Sequence, residues 1–264
     1  MVRKTHSIAV LVAALGVMGA VTSLSVPTSE SVIAESDLPV VSPSSSSDTP
    51  EYAAGNVSTV IFIPGYGGDN ETLSYSATLK DVIQQEGLSA EVKILDTGDG
   101  KGDIRQYAAD LEELTSASPG PVAWVGYSMG GVIARQAYTP QMFDRVTSVT
   151  TWGSPLQGVD LSDFLSKFGA DCTLACEQLK PESAVMSNLP SMENTPARWL
   201  SVYSTYDNVV PSTASKIVES GTSATVDVSE CYTPQNVDHL QITYNSTVMN
   251  LTVANILGET PAVC

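Results

Sequence analysis

The feature that most constrains this chain is an abrupt change of periodicity around one serine. Pro121-Val122-Ala123-Trp124-Val125 is a short continuous apolar run, the pattern of a strand buried on both faces. It enters Gly126-Tyr127-Ser128-Met129-Gly130 without a spacer, and Val132 to Tyr138 then follows helical spacing. A strand that feeds a helix so directly must reverse within a few residues. Glycine on both sides lets strand and helix approach without Cβ clashes, and the residue between them is held in a strained backbone conformation. Ser128 is thereby exposed at the carboxyl end of a sheet. The helix starting behind it favours negative charge. Outside this context the same letters would be a glycine-rich turn with an incidental serine.

Further strand patterns recur along the chain. Ser58 to Ile63 leads into Pro64-Gly65-Tyr66-Gly67-Gly68, and Ala90 to Leu95, Val146 to Trp152, Arg198 to Tyr203 and Ala224 to Val228 read as further strands. Helical spacing covers Glu71 to Gln85, Ile104 to Leu114 behind Asp103 as N-cap, and Thr247 to Leu257. Strands alternating with helices require a mostly parallel sheet covered on both faces, an α/β fold of about six strands. From residue 156 to 196 the pattern loosens and strand signals stop. That stretch has the position and length of a cap or lid insertion. Gly98-Asp99-Gly100-Lys101-Gly102-Asp103 lacks the spacing of a calcium or phosphate loop and reads as a turn before a capped helix.

A serine hydroxyl becomes a useful nucleophile when a base takes its proton, and histidine is the usual base near neutral pH. The chain has two histidines. His6 lies near the amino terminus, so His239, between the last strand and the last helix, is the candidate base. The acid that orients the imidazole should follow a strand between the two, and Asp207 does. Asp160, Asp163 and Asp171 lie in the loosened stretch, Asp227 inside a strand, and Asp238 beside the histidine itself. An oxyanion needs preorganised donors. The backbone amides expected to supply them are those of Met129, directly after the serine, and Tyr66, in the glycine turn, where Gly65 leaves room for substrate. Read without chemistry, the glycine turn is strand punctuation and Asp207 a turn or capping residue.

The flanks concern location. Arg3, Lys4 and His6 precede an apolar run from Ile8 to Val21, too short for a comfortable membrane span. Residues 1–25 are therefore expected to be a signal peptide, with an uncleaved anchor as the alternative. The protein is expected to be secreted, or held at the cell surface. Residues 26–56 are rich in Ser and Pro and read as a flexible leader, which leaves 57–264 as the catalytic domain. Four cysteines, Cys172, Cys176, Cys231 and Cys264, suggest two disulfides in an exported chain. Cys172 with Cys176 and Cys231 with Cys264 is the pairing of choice, and the other two connectivities stay open. A metal site is the weaker alternative, since the one usable histidine has a better role. The formal net charge of −17 repels phosphate backbones and argues against nucleic acid as a partner. Sequons at Asn56, Asn70, Asn245 and Asn250 matter only in a glycosylating host.

Taken in order, these pieces resemble the secreted bacterial triacylglycerol lipases of the class 2 lipase group, within the α/β-hydrolase fold, and more distantly the lipase B type. The resemblance runs from about Thr59 to Leu257. It is carried by Pro64-Gly65-Tyr66-Gly67-Gly68, Gly102-Asp103-Ile104-Arg105, the Ser128 turn, Gly153-Ser154-Pro155, Cys172 to Cys176 with Pro181-Glu182-Ser183-Ala184, Tyr206-Asp207-Asn208-Val209-Val210 and Val237-Asp238-His239. The order Ser, Asp, His is the chain order of that fold. Two departures stand out: Pro64 where many relatives have His, and Leu156-Gln157-Gly158 where many are His-rich. The resemblance implies ester hydrolysis without a cofactor, on acylglycerols or small esters. It also implies transient contact with a lipid interface, and a monomer is expected. An acyltransferase could use the same three residues, and a cell-surface binding protein could keep the fold without the chemistry.

Overall fold

The computed structural model describes residues 56–68, 70–167, 170–193, 195–217, 223–231 and 236–259. The expected signal segment, the leader as far as Gly55 and Cys264 lie outside the described residues. Six strands form one sheet: β1 (Thr59–Ile63), β2 (Glu91–Ile94), β3 (Val122–Tyr127), β4 (Val146–Trp152), β5 (Arg198–Tyr203) and β6 (Ser223–Asp227). Their order is β2-β1-β3-β4-β5-β6, and every pairing is parallel. The helices are α1 (Asn70–Gln85), α2 (Ile104–Ala117), α3 (Met129–Ala137), α4 (Ser162–Lys167), α5 (Leu174–Gln178), α6 (Ala184–Ser187), α7 (Ser212–Ser215) and α8 (Ser246–Leu257).

The inner strands β1, β3, β4 and β5 are buried almost throughout because both faces of the sheet are covered there, while the edge strands β2 and β6 are partly exposed. Successive side chains point to opposite faces. Ile61 and Ile63 of β1 join a core with α2 and α3, while Val60 and Phe62 join a second core with α1 and α8. Each core takes in a tryptophan whose polar edge is satisfied. Trp124 Nε1 donates to Thr115 Oγ1 at 3.0 Å, and Trp152 Nε1 donates to Thr252 Oγ1 at 2.9 Å. Arg198 closes the carboxyl end of α8, donating to the carbonyls of Asn255 and Ile256. Asn245 caps its amino end, accepting from the amides of Thr247 and Val248. That gives one sequon asparagine a structural use.

The strand order locates the site. The chain passes from β1 outward to β2, then crosses back to β3 on the other side of β1. In open parallel sheets the crevice for ligands lies beyond the carboxyl ends of the strands at such a switch point. The segments that emerge there are Pro64–Gly68 after β1 and Ser128 after β3.

Two features differ from the sequence reading. Helix α3 begins at Met129, directly behind Ser128, although helical spacing becomes readable only at Val132. Gly130 and Gly131 are poor helix formers. Packing outweighs that preference, because a Cβ on Gly130 would lie 2.1 Å from the carbonyl oxygen of Ile63 and one on Gly131 would lie 2.2 Å from Ser154 Oγ. The second concerns residues 156–196. As expected, the described residues there form no strand. The stretch is nonetheless built into the core, with Leu156, Leu161, Ala175, Cys176, Leu179 and Met192 all buried. Buried Arg135 of α3 fastens it near both ends, donating to the carbonyls of Leu156 at 3.1 Å and Pro190 at 2.9 Å.

Replacing Gly130 with Ala should drive a methyl group into the backbone of β1. The expected loss is about 3 kcal/mol or more, read as a lowered midpoint in denaturant. Wild-type stability in this variant would contradict the close approach described.

Candidate active site

Ser128 adopts φ 52° and ψ −122° and is the one non-glycine residue with positive φ among the described residues. Such a conformation costs about 1–3 kcal/mol, so the surroundings must hold it. They do so through the backbone. The Ser128 amide donates to the Trp152 carbonyl at 2.8 Å, and the Gly131 amide donates to the Ser128 carbonyl at 3.1 Å.

The three residues singled out in the sequence meet at this turn. His239 Nε2 lies 3.0 Å from Ser128 Oγ, and His239 Nδ1 lies 2.7 Å from Asp207 Oδ2. The His239 side chain is 10% exposed and that of Asp207 1%, so the contact between them is shielded from water. The other carboxylate oxygen of Asp207 accepts from the amides of Val209 at 2.9 Å and Val210 at 2.8 Å. A carboxylate fixed in this way is an acceptor for Nδ1–H. It selects the tautomer that leaves the Nε2 lone pair facing the serine hydroxyl. Asp207 and His239 reach the site on the loops after β5 and β6, and Ser128 on the turn after β3.

The glycine turn after β1 lies against the serine. A Cβ on Gly65 would stand 3.1 Å from Ser128 Cβ and 3.3 Å from Tyr127 Cδ1, so any side chain there would crowd this approach. The Tyr66 amide follows directly. Met129 is the first residue of α3, where an amide has no acceptor within the helix. Three other aspartates are occupied in their own turns. Asp160 Oδ1 accepts from the Ser162 amide, Asp227 Oδ1 from the Ser229 amide, and Asp238 Oδ1 from the Gln241 amide. Asp103 caps α2 and binds Arg105, and that guanidinium above all holds its carboxyl well below the usual carboxylate range.

Two contributors were not singled out in the sequence. Gly153, at φ 51°, lies beside the acid–base pair, and a Cβ there would stand 2.9 Å from Asp207 Oδ2 and 3.2 Å from His239 Nδ1. Tyr127 packs its ring on that of His239, with centroids 5.1 Å apart, and its hydroxyl donates to the His239 carbonyl at 3.2 Å. Tyr75 in turn packs edge-on against both Tyr127 and Tyr244. The sequence signal for Gly153 was its place directly after a buried strand; Tyr127 carried none beyond its position before the serine. Cys172 is bonded to Cys176. Cys231 is also disulfide-bonded, and its expected partner Cys264 lies outside the described residues.

A solved structure shares this arrangement of strands and helices. Lipase B of Aspergillus fumigatus is similar over 82% of this chain, with 17% identity and a TM-score of 0.66. The chain has the α/β-hydrolase fold. It spans 56% of the length of that lipase. An α/β-hydrolase enzyme from the metagenome of sediments of the lagoon of Mar Chica, Morocco, is similar over 73% of this chain and 86% of its own, with 19% identity and a TM-score of 0.46. No family model and no curated protein matches the sequence.

A Gly153→Ala variant should separate Asp207 from His239. The expected sign is loss of the low-field proton resonance of a hydrogen-bonded His239 Nδ1–H, with the circular dichroism of the fold retained. An unchanged resonance would show that the pair does not depend on the missing side chain.

Proposed function

We propose that the protein is an exported serine carboxylester hydrolase, a triacylglycerol lipase or esterase acting through an acyl-enzyme. The observation that carries this reading is the continuous hydrogen-bonded line from Ser128 Oγ to His239 Nε2 at 3.0 Å and from His239 Nδ1 to Asp207 Oδ2 at 2.7 Å. In the reaction, His239 takes the serine proton while Ser128 Oγ attacks the ester carbonyl, and Asp207 stabilises the imidazolium that forms. The amides of Met129 and Tyr66 receive the oxyanion. His239 then passes its proton to the departing alcohol. It next deprotonates a water molecule, which cleaves the acyl-enzyme and releases the acid. No step calls for a cofactor.

Support for an apolar acyl substrate comes from the surface beside the site. Leu174, Tyr206, Leu240 and Tyr244 are the exposed large hydrophobic residues among the described ones, from 46% to 52% exposed. Tyr206 precedes Asp207 and Leu240 follows His239. A net charge of −17 favours neutral esters and uncharged lipid over anionic surfaces. The likeness to a lipase B fold agrees with this substrate class. The amino-terminal basic residues and apolar run support export.

Ser128→Ala should abolish hydrolysis of p-nitrophenyl butyrate and labelling by a fluorophosphonate while the protein stays folded. Asp207→Asn should lower kcat by about 10⁴-fold, the effect of removing the acid from a serine-protease triad. Turnover that survives Ser128→Ala would sink the assignment. Comparing p-nitrophenyl butyrate with emulsified tributyrin and triolein should then show hydrolysis of all three for a lipase and of the two butyryl esters but not triolein for a small-ester esterase.

A further inference from the structure

The short loop closed by Cys172–Cys176 reaches the glycine turn beside the nucleophile. Tyr66 Oη and Thr173 Oγ1 lie 3.1 Å apart, and Thr173 sits inside that closed loop. Thr173 occupies the N-cap position of α5, where a threonine hydroxyl ordinarily accepts from a helix amide. Here it makes no cap bond, and its hydroxyl faces Tyr66 instead. A second connection runs through the backbone. The Ala175 amide donates to the Lys101 carbonyl at 3.3 Å. Gln178 accepts from the Ile104 amide at 2.7 Å and donates to Asp103 at 2.7 Å. This fastens α5 to the turn formed by residues 97–102. That turn presses on the far side of the glycine turn, since a Cβ on Gly100 would stand 2.7 Å from the Gly68 amide nitrogen and 2.9 Å from that of Gly67.

We propose that Thr173 is a positioning residue that holds Tyr66, and through it the oxyanion-binding amide, in working geometry. The inference rests on the acyl-transfer reading of the Ser128 site. Tyr66 is gripped at its hydroxyl by Thr173, and its turn is braced at the backbone by the segment to which α5 is fastened. The disulfide limits how far Thr173 can move. Charge on the carbonyl oxygen develops in the transition state, so a misdirected amide lowers kcat and leaves substrate binding largely intact.

The test is a double-mutant cycle on p-nitrophenyl butyrate hydrolysis, with melting temperature measured for each variant. Thr173→Val removes the hydroxyl at nearly constant shape and should lower kcat roughly three- to tenfold with KM changed by less than about twofold. Thr173→Ser should recover at least about half of the lost rate, as expected for a hydroxyl role. Tyr66→Phe should give a loss of the same size, and the double variant should be no slower than the slower single variant. Wild-type kcat in either single variant, or losses that multiply in the double variant, would overturn the inference. A Ser128→Ala enzyme that still turns over would instead bring down the reading beneath it. The two failures are therefore distinguishable.

Discussion

The site depends on one close approach of backbone to backbone, where the start of α3 meets the end of β1. Gly130 sits so near the Ile63 carbonyl that no side chain fits between them. This contact brings the helix up directly behind Ser128 and forces the serine into its left-handed conformation. It also brings the turn after β1 against the turn after β3, so that Gly65 faces the serine. The strain at Ser128 is held by the backbone bonds from Ser128 to Trp152 and from Gly131 to Ser128. A site built on rigid elements in this way holds its geometry before any substrate arrives.

Around that contact, small residues stand wherever reactive groups converge. Gly65 clears the approach to Ser128, Gly153 clears the contact between Asp207 and His239, and Gly100 lets the neighbouring turn press on the glycine turn. Larger residues set orientation. Tyr127 lies along the imidazole ring, Arg135 fastens residues 156–196 to α3, and Thr173 reaches the tyrosine of the glycine turn. Positioning is thus divided between side chains that are absent and side chains that reach across loops.

Much of this was legible in the sequence. The inner strands were readable from largely apolar runs, as a sheet covered on both faces requires, and the edge strands β2 and β6 from alternating apolar residues; each observed strand lies within two residues of its expected bounds. Ser128 was readable because strand, glycine and helix succeed one another without a spacer. His239 followed by elimination, and Asp207 from its place after a strand. What escaped notice has no local signature. The start of α3 is masked by two glycines that its packing demands. Tyr127 and Thr173 act on residues 112 and 107 positions away, and such pairings emerge only when the chain is folded. The short helices between Leu156 and Pro196 are too brief for periodicity to show, and their burial comes from joining the core shared with α2 and α3. Gly153 was visible as part of a turn, but its nearness to the acid–base pair was not.

The long reach of the base has a consequence for when activity can begin. The serine turn and strands β1 to β3 are encoded in the first half of the chain, whereas His239 lies 111 residues beyond Ser128. Domains are synthesised from the amino terminus. On the proposed reading, a nascent chain can form its nucleophile elbow well before it has made a base. The serine stays chemically quiet until the last strand and the final helix bring His239 onto it. On that reading, hydrolysis begins only once the fold is complete.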